Sequence, residues 1–247
     1  MSIEISEERG VRFLHFGSPW IQGAMRISRP WSLELEYTRD LMAPLLLRGG
    51  PEWPARVLQI GLGAASITRF LYRHRPAAKL TVVEIDPEVI AAARHHFRLP
   101  EENPQLRIVV ADGHEHVAMK DRKYDLIVVD GYDSRGRAGM LDSEPFYLNC
   151  RRRLTRQGMI SVNLLTRSRG VGPSVERMRR AFDGRVLVLP PSEAGNTVVL
   201  AAEGDAIDEP LRDLRDAAHR LKAQTGLDLA PMLARVGKAR AGERIVL

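Results

Sequence analysis

Asp130 and Asp133 stand three residues apart in the run Val128-Val129-Asp130-Gly131-Tyr132-Asp133-Ser134, directly after an apolar stretch. An amine nucleophile with a lysine-like pKa near 10.4 is mostly protonated at neutral pH. It must be held by anions and must lose a proton before it attacks carbon. Two neighbouring carboxylates, one binding and one accepting the proton, suit that task. The plainer alternative is a solvated turn in which Asp133 serves as a cap.

Three other points carry the same kind of signal. Gly61-Leu62-Gly63-Ala64-Ala65-Ser66 closes a short apolar run, and glycines there let the backbone approach a ligand without a Cβ in the way. Val83-Glu84-Ile85-Asp86 places Glu84 23 residues after Gly61, close to the spacing at which a carboxylate accepts hydrogen bonds from ribose hydroxyls. Asp86, followed by Pro87, reads as a helix cap. Ala111-Asp112-Gly113 ends another apolar run, where an acceptor can take the adenine amino group. Together these point to an adenosine moiety. A dinucleotide or phosphate reading lacks support, because no GxxxxGK[ST] loop is present.

The elements that must position these groups alternate in period. Residues 57–60, 79–85, 106–111, 124–129 and 159–164 read as buried strands, with helices after 66, from 87 and over 143–154. Strands alternating with helices predict an α/β fold with a mostly parallel sheet and helices on both faces. Ligands of such sheets bind beyond the carboxyl ends of the strands, where strand order reverses. Residues 11–16 and 20–27 read as strands around a Gly17-Ser18-Pro19 turn, and 31–47 as a helix. Arg48-Gly49-Gly50-Pro51 breaks the pattern. The chain thus divides into a small β-rich appendage with a helix at 1–50 and the main domain at 51–247. A helix at 174–182, strands at 186–189 and 197–202, and helices from 209 onward complete the reading.

Composition limits the function classes. The single cysteine, Cys150, excludes a disulfide within the chain and argues against thiolate-bound zinc. His95-His96 falls on a predicted helix and reads as surface, so no metal site is expected. The net charge of +6 raises nucleic acid as a partner. The arginines are dispersed, however, and the groups Arg151 to Arg153 and Arg177, Arg179 and Arg180 read as solvated helical faces. No membrane or nucleic-acid partner is expected. The first ten residues carry no apolar core of signal-peptide length, which predicts a cytoplasmic protein.

From about residue 11 to residue 202 the chain resembles the spermidine synthases, or polyamine aminopropyltransferases. The resemblance is carried by VLQIGLGAAS at 57–66, VVEID at 82–86, ADG at 111–113, YDLIVVDGYDS at 124–134 and SEPFYLNCRRRL at 143–154. It implies a Rossmann-like fold of the S-adenosylmethionine-dependent methyltransferase type, with decarboxylated S-adenosylmethionine as co-substrate and no tightly bound cofactor. The aminopropyl group would pass to putrescine or a related amine, releasing methylthioadenosine. By this resemblance Gly61, Gly63, Glu84, Asp112 and Gly113 would bind the nucleoside, with Glu84 on ribose and Asp112 on adenine. Asp130 would accept the proton, Asp133 would help hold the amine, and Tyr37 and Gln22 would fall near a family tyrosine and glutamine. A homodimer or homotetramer is implied as well.

The chain departs from the family at marked positions. Where the glycine loop usually reads GGGDGG, with an aspartate that grips the donor's ammonium, this chain has Ala64. Where the acidic pair usually lies in DSSDP, Ser134 replaces the proline, and Arg135 and Arg137 follow. Two alternatives therefore stand beside aminopropyl transfer. An S-adenosylmethionine methyltransferase would explain Ala64, although Gln59 and the DGYD ending fit it less well. A non-catalytic nucleoside-binding relative is the other.

Overall fold

The computed structural model describes every residue except 1, 18–19, 51, 120, 134–135, 166–169 and 240–242. The chain opens with three antiparallel strands, β1 (Ile3–Glu8), β2 (Val11–Phe16) and β3 (Gly23–Arg26). The helix expected over 31–47 is instead two short ones, α1 (Glu36–Asp40) and α2 (Pro44–Leu47). Pro44 explains the break: it has no N–H for an intrahelical bond, and it is accepted only in a helix's first turn.

The main fold then alternates: β4 (Arg56–Ile60), α3 (Ser66–His74), β5 (Lys79–Glu84), α4 (Pro87–His96), β6 (Leu106–Val110), α5 (Gly113–Met119) and β7 (Tyr124–Val129). A 3-10 turn at Gly139–Asp142 leads into α6 (Glu144–Arg153), β8 (Leu154–Leu165), α7 (Gly172–Ala181), β9 (Val186–Val188) and β10 (Asn196–Ala202). β11 (Asp208–Pro210), α8 (Leu211–Thr225), α9 (Ala230–Ala239) and β12 (Arg244–Val246) close the chain.

Among the described residues seven strands form one sheet in the order β6-β5-β4-β7-β8-β10-β9, as the α/β reading requires. β4 pairs in parallel with β5 and β7, β5 with β6, and β7 with β8, while β10 runs antiparallel to both neighbours. Neighbouring residues of a strand enter different cores. Val57 and Val128 belong to one buried apolar cluster, and Leu58, Ile60, Ile127 and Val129 belong to the other. Successive side chains point to opposite faces, so a strand covered on both sides is apolar throughout. The chain runs outward from β4 through β5 to β6, then returns to β7 on the other flank. The switch point therefore lies between β4 and β7.

The appendage packs directly on the main fold. Ser66 donates to the Ala24 carbonyl (2.9 Å), and the fully buried Arg69 donates to the carbonyls of Pro30 (2.7 Å), Phe97 (2.6 Å) and Ala64. Two other expectations are corrected. Arg151 pairs with Asp183 and Glu203, Arg153 with Asp121 and the Val117 carbonyl, and Arg177 with Asp142, so these arginines tie elements together and are not a solvated face. The stretch from 209 onward, expected as helices, also carries strand. β12 pairs with β11, and Leu247 exchanges backbone hydrogen bonds with Ile207 (2.8 and 2.9 Å).

Candidate active site

At the switch point the backbone of β7 closes on β4: the Asp130 N–H donates to the Ile60 carbonyl at 2.9 Å. The following residue, Gly61, has φ +87°, and a Cβ there would stand 2.1 Å from the Asp130 carbonyl oxygen. Glycine is required here because two strand ends meet, a reason that stands beside its place in the cleft wall. Gly113 is likewise set by protein packing, since its Cβ would meet the Ile60 side chain at 2.4 Å. Gly63, with φ +50°, is different. Its Cβ would lie 3.6 Å from the Gln22 carbonyl, with no closer contact. Gln59, read as a departure from methyltransferases, shapes this loop. Its amide donates to the Gly61 carbonyl (2.7 Å) and accepts from Thr68 (2.8 Å).

The strand ends enclose a cleft of about 1060 Å³. The candidate catalytic and binding residues named from the sequence all line it: Gln22, Tyr37, Gly61, Gly63, Glu84, Asp112, Gly113, Asp130 and Asp133. Glu84, 8% exposed at the end of β5, accepts the Leu62 N–H (2.8 Å) and the Asp86 N–H (3.0 Å). Burial pushes its pKa up, and those backbone bonds pull the other way. Asp86 is the cap of α4, accepting the Glu88 N–H at 2.8 Å. Asp112 also caps a helix: its Oδ1 accepts the N–H groups of His114 (2.7 Å) and Glu115 (3.2 Å) at the start of α5.

Asp130 sits at the centre. Asn163 on β8 donates to its Oδ1 at 2.8 Å, and Asn196 on β10 donates to the Asn163 side-chain oxygen at 3.0 Å. That second bond fixes which way the Asn163 amide faces, so its NH₂ is presented to the carboxylate. Tyr37, on α1, interacts with the same carboxylate through its side chain. Burial raises the Asp130 pKa, against the pull of Asn163 and Tyr37. Burial and the Asp130 charge hold the Tyr37 phenol well above its ordinary range. Asn163 and Asn196 were missed in the sequence. The available signal was polarity: an asparagine inside the apolar run of β8 needs a partner.

Asp133 is placed differently. Its Oδ1 accepts the Arg137 backbone N–H (2.9 Å), and its Oδ2 accepts Nε and Nη2 of the same arginine (both 2.8 Å). Arg137 therefore turns toward the acidic pair. Ser134 and Arg135 lie outside the described residues. A second ion cluster holds α1, which lines the cleft with Glu36 and Tyr37. Arg235 of α9 pairs with Glu36 and Asp40, the two ends of α1, and Glu36 also accepts the Glu193 N–H at 3.1 Å. Burial raises Asp40 to a pKa of about 6, although Arg235 pulls it down.

Ala64 does not line the cleft. It is 3% exposed, and a Cβ on Gly23 of β3 would come within 2.5 Å of its methyl group. The appendage thus fills the space around Ala64.

The family described as Spermine/spermidine synthase domain matches residues 37–164. The polyamine aminopropyltransferase of Neisseria meningitidis serogroup A is 36% identical over 94% of this chain and 88% of its own length. A solved structure of a probable spermidine synthase from Corynebacterium glutamicum aligns with a TM-score of 0.70 at 21% identity, covering 81% of this chain and 76% of that one. At that identity the likeness shows the fold alone. A spermidine synthase in complex with the transition state analogue AdoDATO aligns with a TM-score of 0.61 at 25% identity, covering 82% of this chain and 74% of that one.

Proposed function

The chain belongs to the spermine/spermidine synthase family, and on that premise we propose that its cleft moves an aminopropyl group from decarboxylated S-adenosylmethionine to putrescine or a related amine, with release of methylthioadenosine. The observation that carries this reading is the setting of Asp130. A carboxylate of raised proton affinity stands at the switch point, oriented by Asn163 and coupled to Tyr37.

In the reaction, the amine's lone pair forms a bond to the carbon beside the donor's sulfonium, and the carbon–sulfur bond breaks with its electrons going to sulfur. The amine must first be neutral. Asp130 takes the proton, and its burial makes it a better base than an exposed aspartate. Tyr37 and Asn163 hold the carboxylate in one orientation. Glu84 and Asp112, at the ends of β5 and β6, are the groups for the ribose and adenine of the donor. Gln22 stands across the glycine loop from Gly63. Asp133 supplies the second anion for the acceptor. Every step uses side chains of this chain and the two substrates.

The same reading places the enzyme in the cytoplasm, which suits a chain whose one cysteine is buried and unpaired. It also proposes a homodimer or homotetramer. The outer edge of β1 pairs with no strand among the described residues, which leaves the appendage sheet available for assembly.

The test is a product assay. Purified protein is incubated with putrescine and either decarboxylated or intact S-adenosylmethionine, and the products are separated by chromatography. Methylthioadenosine and spermidine from the decarboxylated donor are expected. Their absence, with S-adenosylhomocysteine formed from the intact donor, would overturn the proposal.

A further inference from the structure

The acidic pair in the cleft is asymmetric. Asp130 is held by Asn163, a group on a buried strand that has no charge to offer. Asp133 is held by Arg137, which covers both carboxylate oxygens through its backbone and its guanidinium. Both residues line the cleft. An arginine therefore stands on the carboxylate that aminopropyl transfer would give to the acceptor's second ammonium. Two cations on one carboxylate repel each other, so the acceptor and Arg137 exclude one another at that point.

The two arginine-bound acids of the cleft also differ in how firmly they are held. Arg235 and Glu36 are only 21% and 24% exposed, and Arg235 spans a second carboxylate, Asp40. Arg137 and Asp133 are 65% and 39% exposed. A solvated pair of that kind contributes little and exchanges its partner readily.

We infer that Arg137 is an internal occupant of the acceptor's distal cation subsite, a specificity-determining residue that a bound diamine displaces from Asp133. The inference rests on the aminopropyl-transfer reading for the identity of the acceptor. It predicts a particular selectivity. A diamine competes with Arg137 through its second ammonium, whereas a monoamine has only the amine it brings to Asp130 and leaves Arg137 in place.

The experiment is calorimetric titration of putrescine and of butylamine into protein saturated with methylthioadenosine. It compares wild type, Arg137→Gln, Arg137→Lys and Arg9→Gln. Arg9 is a 91% exposed residue outside the cleft, so its replacement removes the same charge elsewhere. Arg137→Gln should bind putrescine up to about five-fold more tightly, about 1 kcal/mol. Butylamine affinity should change by less than about two-fold, as should putrescine affinity in Arg137→Lys and Arg9→Gln. Melting temperatures confirm that each variant is folded. Putrescine affinity that is unchanged or weaker in Arg137→Gln, an equal gain in Arg9→Gln, or no putrescine binding in either protein would overturn the inference. Failure of the underlying reading is distinct: wild-type protein would bind the diamine with the predicted selectivity yet form no methylthioadenosine from decarboxylated S-adenosylmethionine.

Discussion

Asn163 of β8 donates its side-chain amide across 2.8 Å to Asp130, the residue that follows the neighbouring parallel strand β7. The bond favours the ionised carboxylate, and burial opposes it. In the proposed mechanism the balance between the two sets the pH at which Asp130 can accept the amine's proton.

Asn163→Ala removes one bond to the charged form and leaves the burial. The Asp130 pKa then rises further, so a higher pH is needed to ionise it. The acid limb of the kcat/KM profile should move to higher pH, and activity at pH 6 should fall more than activity at pH 9. An acid limb that stays in place, measured over the same range, would show that Asp130 does not govern it.

The acids that line the cleft were legible in the sequence because they sit at strand ends, where an apolar run stops at an acid or glycine. Glu84 after Val82-Val83 and Asp130 after Val128-Val129 are such cases. The reasons for the glycines were not legible. Gly61 answers to the Asp130 carbonyl, a contact across 69 residues of chain that local pattern cannot show. Asn163, Asn196 and Arg235 share that difficulty, since each acquires its role from a partner on another strand or helix. β11 and β12 were missed because three residues hold no measurable period.

Glu84→Gln tests the ribose assignment. Glutamine keeps the size but replaces one accepting oxygen with a donor, against a backbone that already donates to both oxygens. Affinity for methylthioadenosine should drop by about 1–3 kcal/mol, roughly five- to 150-fold. Calorimetry that finds a change below two-fold in the folded variant would remove Glu84 from the donor site.

Ala64→Asp introduces the aspartate that the family resemblance led one to expect at this position. In this chain the methyl group of Ala64 is buried against Gly23, so a carboxylate would enter a space already filled by β3. The variant should lose about 2 kcal/mol of stability or more, read by denaturant titration, with no gain in kcat/KM for the decarboxylated donor. A stable variant with improved kcat/KM would mean that the appendage yields and that the missing carboxylate limits this enzyme.

Arg235→Gln tests the clamp on α1, the helix that carries Tyr37. Asp40 has a folded pKa near 6, above its ordinary value, so its own titration favours the fold as pH falls from 6 toward 4. Its pair with Arg235 needs the ionised form and is fully present above pH 6. The loss of stability in the variant should therefore be about 3 kcal/mol at pH 8 and smaller at pH 5. kcat should fall with Tyr37 displaced, while methylthioadenosine affinity is retained. A loss of the same size at both pH values would contradict the assigned pairing.

The most direct test of the account is Asp130→Asn, an isosteric change that keeps the shape of the site and removes the base. With decarboxylated S-adenosylmethionine and putrescine at saturation, kcat should fall by about 10²- to 10⁴-fold, while methylthioadenosine binds within a few-fold of wild type. Turnover within a few-fold of wild type, in a variant shown to be folded, would contradict proton removal by Asp130 and with it the proposed mechanism.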